Sequence, residues 1–226
     1  MSDVDGTLLG DDEAWRELLA ELARHPEVVL VPNSSRPLRS LARTWNELSV
    51  GSAFPHQVGG LGTEVAIAHA DTGWSSRFAG FGREPVDRLM AKLGHPANGE
   101  EFQTPLKASY TVPAQSWPAV RKAVQAIVPA QVRTSGDRDF DVIPQGAGKE
   151  APLRFLAEEL SVDYSHIVTA GDAMNDLELV GAASQAIVVG NADSDLVAAT
   201  AGHAYHSKAR YAAGVRDGLY TLGILS

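Results

Sequence analysis

Apolar and polar residues alternate along this chain with two different periods, and the places where the period changes outline its elements. Residues 12–24, "DEAWRELLAELAR", put Trp15, Leu18, Leu19 and Leu22 on one face at helical spacing. "EVVLV", Glu27 to Val31, is a short β-branched run suited to a buried parallel strand. In "NSSRPLRSLARTWNELS", Pro37 suits a first helical position, with Ser35 or Arg36 as the cap. Leu38, Leu41, Trp45 and Leu48 form that helix's buried stripe. "HQVGGLGTEVAIA" reads as strand, glycine turn and strand. Strand and helix alternate, which implies a parallel sheet with crossover helices.

The middle has another rhythm. "REPVDRLMAKLG" is a helix stopped by Gly94, and "KASYTV" is a strand. "SWPAVRKAVQAIV" is a second helix, followed by two short strands around "AQVRT" and "DFDVI". This order predicts a small α+β unit with an antiparallel sheet over 78–145. The alternation then resumes with the helix "KEAPLRFLAEEL", the strand "HIVTAGD", the helix start "NDLELVGAA", the strand "QAIVVGN", the short helix "DSDLVAAT" and the terminal "ARYAAGVRDGLYTLGIL", helical despite its glycines. The fold class expected is α/β, with a core over 1–77 and 146–226 that carries the inserted unit. Trp15 and Trp45 belong to the core. Trp74 and Trp117 read as packing residues near the insert.

Composition narrows the chemistry. The chain has 226 residues, 44% hydrophobic and 21% charged, which is ordinary globular composition. It has no cysteine, which excludes disulfides, thiol nucleophiles and thiolate metal sites. A formal charge of −9 argues against a general nucleic-acid surface. Neither a signal peptide nor a membrane-spanning run is visible, so no membrane partner and a cytoplasmic location are expected. The seven histidines show no ligand spacing.

In open α/β sheets ligands bind beyond the carboxyl ends of the strands. Four polar groups fall there. They are Asp3, Asp5, Gly6 and Thr7 in "DVDGT"; Ser34, Ser35 and Arg36 after "VVLV"; Lys149 in "QGAGK"; and Asp172, Asn175 and Asp176 in "GDAMND". Several carboxylates without thiolate suit Mg2+, a hard cation that prefers oxygen ligands. A lysine, a hydroxyl and an amide suit phosphate oxygens. One carboxylate can attack phosphorus, and another two residues on shares its face in an extended segment and can move the proton. Each group has a plainer reading. Asp-x-Asp-Gly also occurs in turns and calcium loops, the serines can cap a helix, and Lys149 can be a solvated residue at a helix start.

Together the ordered motifs resemble the haloacid-dehalogenase-like (HAD) phosphohydrolases. "DVDGT", "NSSR", Lys149 and "GDAMND" stand as motifs one to four. The chain looks most like the sucrose-phosphate-phosphatase branch with a type 2B cap, through "GLGTEV", "KASYTV", "SGDRDFDVIPQGAGK" and "AGDAMNDLEL…IVVGNADSDL". The resemblance implies a Rossmann-like doubly wound core with an inserted α+β cap. It implies that Asp3 is the nucleophile and Asp5 the general acid/base, whose backbone carbonyl also reaches the metal. Ser34 and Asn175 would hold the phosphoryl group, with Gly6, Thr7 and Ser35 beside it, and Lys149 would neutralise its charge. Asp3, Asp5, Asp172 and Asp176 would hold Mg2+. Arg36, Glu64, Lys107, Ser109, Asp137 and Arg138 are candidates for the substrate. The implied activity is a phosphoric monoester hydrolase acting on a sugar phosphate, sucrose 6-phosphate being favoured.

Rival readings are a phosphatase for mannosyl- or glucosyl-phosphoglycerate, trehalose phosphate or other small phosphates, and a catalytically impaired partner of a cognate sugar-phosphate synthase. Two departures from the family pattern stand out. Ser35 occupies a place where many relatives have Gly, and only Met1 and Ser2 precede Asp3, where relatives carry a buried apolar strand. The expectation drawn from the second is a start placed downstream of the true one.

Overall fold

The computed structural model describes residues 1–226. In chain order its strands are β1 (Ser2–Asp3), β2 (Pro32–Asn33), β3 (Gln57–Gly59), β4 (Glu64–Ile67), β5 (Ala70–Asp71), β6 (Ala108–Thr111), β7 (Ala130–Ser135), β8 (Asp139–Pro144), β9 (Val168–Gly171), β10 (Gln185–Val188) and β11 (Tyr205–His206). Its helices are α1 (Asp12–Leu22), α2 (Leu38–Glu47), α3 (Glu84–Leu93), α4 (Trp117–Gln125), α5 (Leu153–Glu159), α6 (Leu177–Ala182), α7 (Ser194–Ala199) and α8 (Tyr211–Thr221). The chain divides into two compact units: Met1–Asn33 with Pro152–Ser226, and Ser34–Ala151.

The first unit is a parallel α/β layer. Its strands run in the order β11-β10-β9-β1-β2, every neighbouring pair parallel. The chain leaves β1 toward β2 on one side and continues from β9 to β10 and β11 on the other. β1 and β9 therefore flank the point where the strand order reverses, the usual seat of a ligand in such sheets. α1 starts where Asp11 accepts from the N–H groups of Glu13 and Ala14, and it buries Trp15 and Leu18. The glycines of α8 serve close packing. A Cβ on Gly218 would fall 2.6 Å from the Ile187 side chain in β10, and one on Gly214 would fall 2.5 Å from the carbonyl of Ala209.

One expected strand does not form as read. Of "EVVLVPN" only Pro32 and Asn33 join the sheet, and Val29 is 52% exposed. Likewise β9 begins at Val168, leaving Ile167 outside it. β1 itself is two residues long, so it reaches only those parts of its neighbours.

The second unit begins with α2 and the antiparallel strands β3, β4 and β5. The cap of α2 is Pro37, whose position was expected to be the first helical one, and Glu64 Oε2 accepts from the Leu38 N–H at 2.8 Å. Proline offers no side-chain acceptor, so a carboxylate from β4 supplies it. Further on lies a three-stranded antiparallel sheet, β6-β8-β7. One face packs under α3 and α4 through Val86, Met90, Val120, Val124, Tyr110, Val132, Phe140 and Val142. Gly94, at φ 77°, ends α3. Arg83 forks onto Asp87, and Tyr110 donates to the same carboxylate, which ties α3 to β6. Burial pushes the Asp87 carboxyl up, but the hydrogen bonds from Arg83 and Tyr110 outweigh it and hold the group below the usual carboxylate range.

Candidate active site

In the first unit, the site grows from the carboxyl ends of β1 and β9. Asp3 is the last residue of β1 and is buried, and Asp172 directly follows β9. After Asp3 the chain must turn sharply. The N–H groups of Leu8 and Leu9 both donate to the Val4 carbonyl, and Gly6 sits at φ 88°. That left-handed conformation favours glycine, and a Cβ here would lie 2.3 Å from Asp172 Oδ2. Thr7, fully buried, donates its hydroxyl to Asp172 Oδ1 at 2.9 Å. Asn191 steadies the turn by donating from Nδ2 to the Gly6 carbonyl at 2.7 Å, while its Oδ1 accepts from the Tyr211 N–H at 2.8 Å.

The segment after β9 is held in the same way. Asp176 is fully buried, and its Oδ2 accepts from the Asp172 and Ala173 N–H groups at 3.2 and 3.3 Å. Asp193, the cap of α7, accepts from the Met174 N–H at 3.0 Å and from the Leu196 N–H at 2.7 Å. One carboxylate oxygen each from Asp3, Asp172 and Asp176 lies within 4.8 Å of the others. Three acids so close repel unless a cation joins them. The donor set is all oxygen, which fits a hard divalent ion. The Asp5 side chain is exposed and stands outside this trio. Asn175 is half-buried, and its Oδ1 has no hydrogen-bond partner.

In the second unit, Ser34 is fully buried, and its Oγ accepts from the Arg36 N–H at 3.0 Å. Ser35 is half-buried, and Arg36 donates to Thr44 Oγ1 at 2.8 Å. Lys149 is 2% exposed and follows two glycines at positive φ, Gly146 and Gly148. The turn 60–63 touches both segments. Leu61 N–H donates to the Ser34 carbonyl, and a Cβ on Gly62 would come within 1.8 Å of the Gly148 carbonyl oxygen. Glu64 is occupied at the start of α2.

The second face of the β6-β8-β7 sheet is polar. Lys107, 1% exposed, pairs with Asp141 at 3.1 Å and donates to the Phe102 carbonyl. Ser109 lies opposite Asp141 in the ladder, and Arg133 lies on the other side of it. Asn98 donates to Ser109 Oγ at 2.9 Å. Burial and the Asp141 charge push the Asp139 carboxyl above its ordinary range. Asp137 and Arg138 stand apart at the exposed tip of the β7–β8 hairpin. Asp141 and Arg133 were not among the residues singled out by sequence. The alternation in "AQVRT" and "DFDVI" carries the signal, because it puts both on the face away from Val132, Phe140 and Val142.

Comparison with known proteins gives concordant matches. A family model described as sucrose-6F-phosphate phosphohydrolase matches residues 1–223. The chain is 28% identical to a mannosylfructose-phosphate phosphatase of Agrobacterium fabrum, over 99% of this chain and 96% of that one. Among solved structures, the sucrose-phosphatase of Synechocystis sp. PCC6803, described in complex with sucrose and phosphate, superposes with a TM-score of 0.87 at 19% identity, covering 98% of this chain and 96% of that one. A HAD subclass IIB sugar phosphatase gives 0.80 at 15% identity, covering 99% and 98%. At those identities the two structures establish the shared fold. No helix here is long and apolar enough to cross a membrane.

Proposed function

The chain belongs to the sucrose-6F-phosphate phosphohydrolase family of HAD phosphatases, and on that premise we propose that it hydrolyses a phosphorylated sugar through an aspartyl-phosphate, with sucrose 6-phosphate or a related disaccharide phosphate as substrate. The observation that carries the reading is the trio Asp3, Asp172 and Asp176, converging beyond the strands where the sheet order reverses.

Asp3, Asp172 and Asp176 would hold Mg2+, and the family pattern adds the Asp5 carbonyl. Bound there, the ion would offset charge on the phosphoryl oxygens and fix the group in line with Asp3. The Asp3 carboxylate attacks phosphorus and the bond from phosphorus to the sugar oxygen breaks. Asp5 gives its proton to the departing alkoxide. A water then attacks the aspartyl-phosphate and loses its proton to Asp5, which frees inorganic phosphate and restores Asp3. An exposed Asp5 suits this part, since it must meet both the sugar oxygen and water. Ser34, Asn175 and Lys149 supply hydroxyl, amide and ammonium to the phosphoryl oxygens, and Gly6, Thr7 and Ser35 shape the turns beside them.

Residues 78–145 are the cap of this proposal. Its polar sheet face, with Lys107, Ser109, Asp141 and Arg133, would read the sugar hydroxyls, and Asp137 and Arg138 at the exposed hairpin tip are kept as further substrate candidates. Arg36 and Glu64 keep a supporting part, because both are engaged in holding α2. The test is phosphate release from a panel of sugar phosphates with Mg2+ present, run on the protein and on Asp141→Asn. A preferred disaccharide phosphate is expected, with kcat/KM for it falling at least about tenfold in the variant and little change for a minimal aryl phosphate. Equal loss on all substrates would remove the sugar-reading role from this face.

A further inference from the structure

One short loop of the first unit touches both acid-bearing turns. Residues 189–193 join β10 to α7. Asn191 Nδ2 donates to the Gly6 carbonyl at 2.7 Å, in the turn that follows Asp3. Two residues on, Asp193 Oδ2 accepts from the Met174 N–H at 3.0 Å, and the Asp193 N–H donates to the Asp172 carbonyl at 2.8 Å. One loop thus grips the turn after Asp3 and the segment that carries Asp172 and Asp176. Asp193 Oδ1 accepts from the Leu196 N–H, so this carboxylate is engaged at both oxygens and stands outside the acidic trio.

The loop is held from behind. Gly190 N–H donates to the Ala209 carbonyl at 2.7 Å, and Asn191 Oδ1 accepts from the Tyr211 N–H at 2.8 Å. A Cβ on Gly190 would fall 2.6 Å from the Lys208 carbonyl oxygen, so here backbone rests on backbone. Tyr211 sits at φ 52°, a left-handed conformation uncommon for a bulky residue. Its ring closes on the far end of the first turn, where a Cβ on Gly10 would fall 2.5 Å from it. Such a conformation persists only where its surroundings fix it. Ala192 packs against the apolar cluster of Val180, Ala186, Val188 and Leu196. An asparagine that only shaped its own loop would bond within two or three residues. Asn191 instead commits both ends of its amide to segments 185 and 20 residues away.

We propose that residues 190–193 are a clamp that sets the gap between the two acid-bearing turns, with Asn191 and Asp193 as positioning residues, and that this gap selects a small divalent cation over a larger one. The proposal rests on the reading of Asp3, Asp172 and Asp176 as the Mg2+ site. The physical link is ligand distance. Mg2+ takes its oxygens at about 2.0–2.1 Å in near-ideal octahedral geometry, whereas Ca2+ takes them at about 2.3–2.6 Å in looser arrangements. Acids on turns free to separate accommodate the larger ion, and acids on turns tied through one loop resist it. Cutting the tie removes both the resistance to Ca2+ and the preorganisation that favours Mg2+.

The test follows Mn2+ bound to the full chain by its electron spin resonance signal, with Mg2+ and Ca2+ titrated as competitors. Asn191→Ala cuts the tie. Ala192→Gly keeps both gripping side chains and loosens the residue between them. Val197→Ala, a change at an exposed position of α7, is the control. Because groups that orient metal ligands typically contribute 10–100-fold to affinity, Asn191→Ala should weaken Mg2+ about tenfold or more and Ca2+ no more than about twofold. The preference for Mg2+ over Ca2+ then falls at least about fivefold. Ala192→Gly should shift the ratio the same way by a smaller factor, and it decides alone should Asn191→Ala fail to fold. Val197→Ala should leave the ratio unchanged. Equal weakening of both ions would assign Asn191 to stability alone and overturn the clamp, with the Mg2+ site still standing. So would an unchanged ratio in Ala192→Gly. A parent chain that binds none of the three ions would overturn the metal reading, and the clamp with it.

Discussion

At the scale of single residues, the site depends on side chains that fix other side chains. Thr7 touches Asp172 through one hydrogen bond of 2.9 Å, and its own burial leaves no alternative partner in water. Replacing it with valine keeps the shape and removes the donor. Groups that orient metal ligands typically contribute 10–100-fold to affinity. Thr7→Val should therefore raise the Mg2+ concentration for half-maximal activity about tenfold, with most of kcat recovered at saturating Mg2+. A Mg2+ titration of the rate checks this, and an unchanged midpoint would free Thr7 from that part. At this scale the acidic cluster was legible, because "DVDGT" and "GDAMND" put carboxylates at two strand ends, and the fold brings Asp3, Asp172 and Asp176 together. The polar face of the small sheet was half legible. Lys107 and Ser109 stood out through the family pattern. Asp141 and Arg133 show only when the three strands are laid in register, which no single segment reveals.

At the scale of elements, glycines decide where loops can meet. Gly62, at φ 79°, lets the turn after β3 rest against the Gly148 carbonyl, one residue before Lys149. An alanine at Gly62 cannot keep both the conformation and the contact. Gly62→Ala should lower Tm by several degrees and cut kcat more than tenfold by displacing Lys149, measured by calorimetry and steady-state kinetics on one preparation. The Arg83–Asp87–Tyr110 link gives a second prediction. The Asp87 carboxyl is held below its ordinary value, so its stabilisation is complete above pH ~4 and is lost as pH falls through the lowered value. Asp87 is partly exposed, and Asp87→Asn should cost about 1 kcal/mol at pH 7. The gap in stability to the parent should shrink toward pH 2–3, which denaturant titrations at two pH values measure. The elements themselves were largely readable from period and punctuation, from α1 with its apolar stripe to α3 with Gly94 at its end. The strand expected over Glu27–Val31 was not, for a physical reason. Its composition suits a sheet interior, but a strand exists only where a neighbour supplies the ladder, and β1 stops short of it. The α2 cap was misread because the acceptor comes from β4, 26 residues on in sequence.

At the scale of the whole molecule, the order of motifs along the chain carries the assignment. The chain passes from β1 through α1 to β2, supplies the second unit, and returns to β9, so that Asp3 and Asp172, far apart in sequence, end beside each other. Alternating strands and helices made the parallel layer legible, and the change of rhythm marked the antiparallel insert. The identity of the sugar was not legible, because the phosphate chemistry is shared across the family and selectivity lies in side chains whose spacing has no motif. The central claim is that Asp3 takes the phosphoryl group with Mg2+ held beside it. Its most direct test is release of inorganic phosphate from sucrose 6-phosphate, and from mannosylfructose phosphate, by the protein and by Asp3→Asn, each with Mg2+ and with chelator. The account predicts turnover with Mg2+ on at least one substrate, its loss with chelator, and at least a thousandfold loss in a variant that keeps its fold by circular dichroism. Turnover that survives either the chelator or the substitution would contradict it.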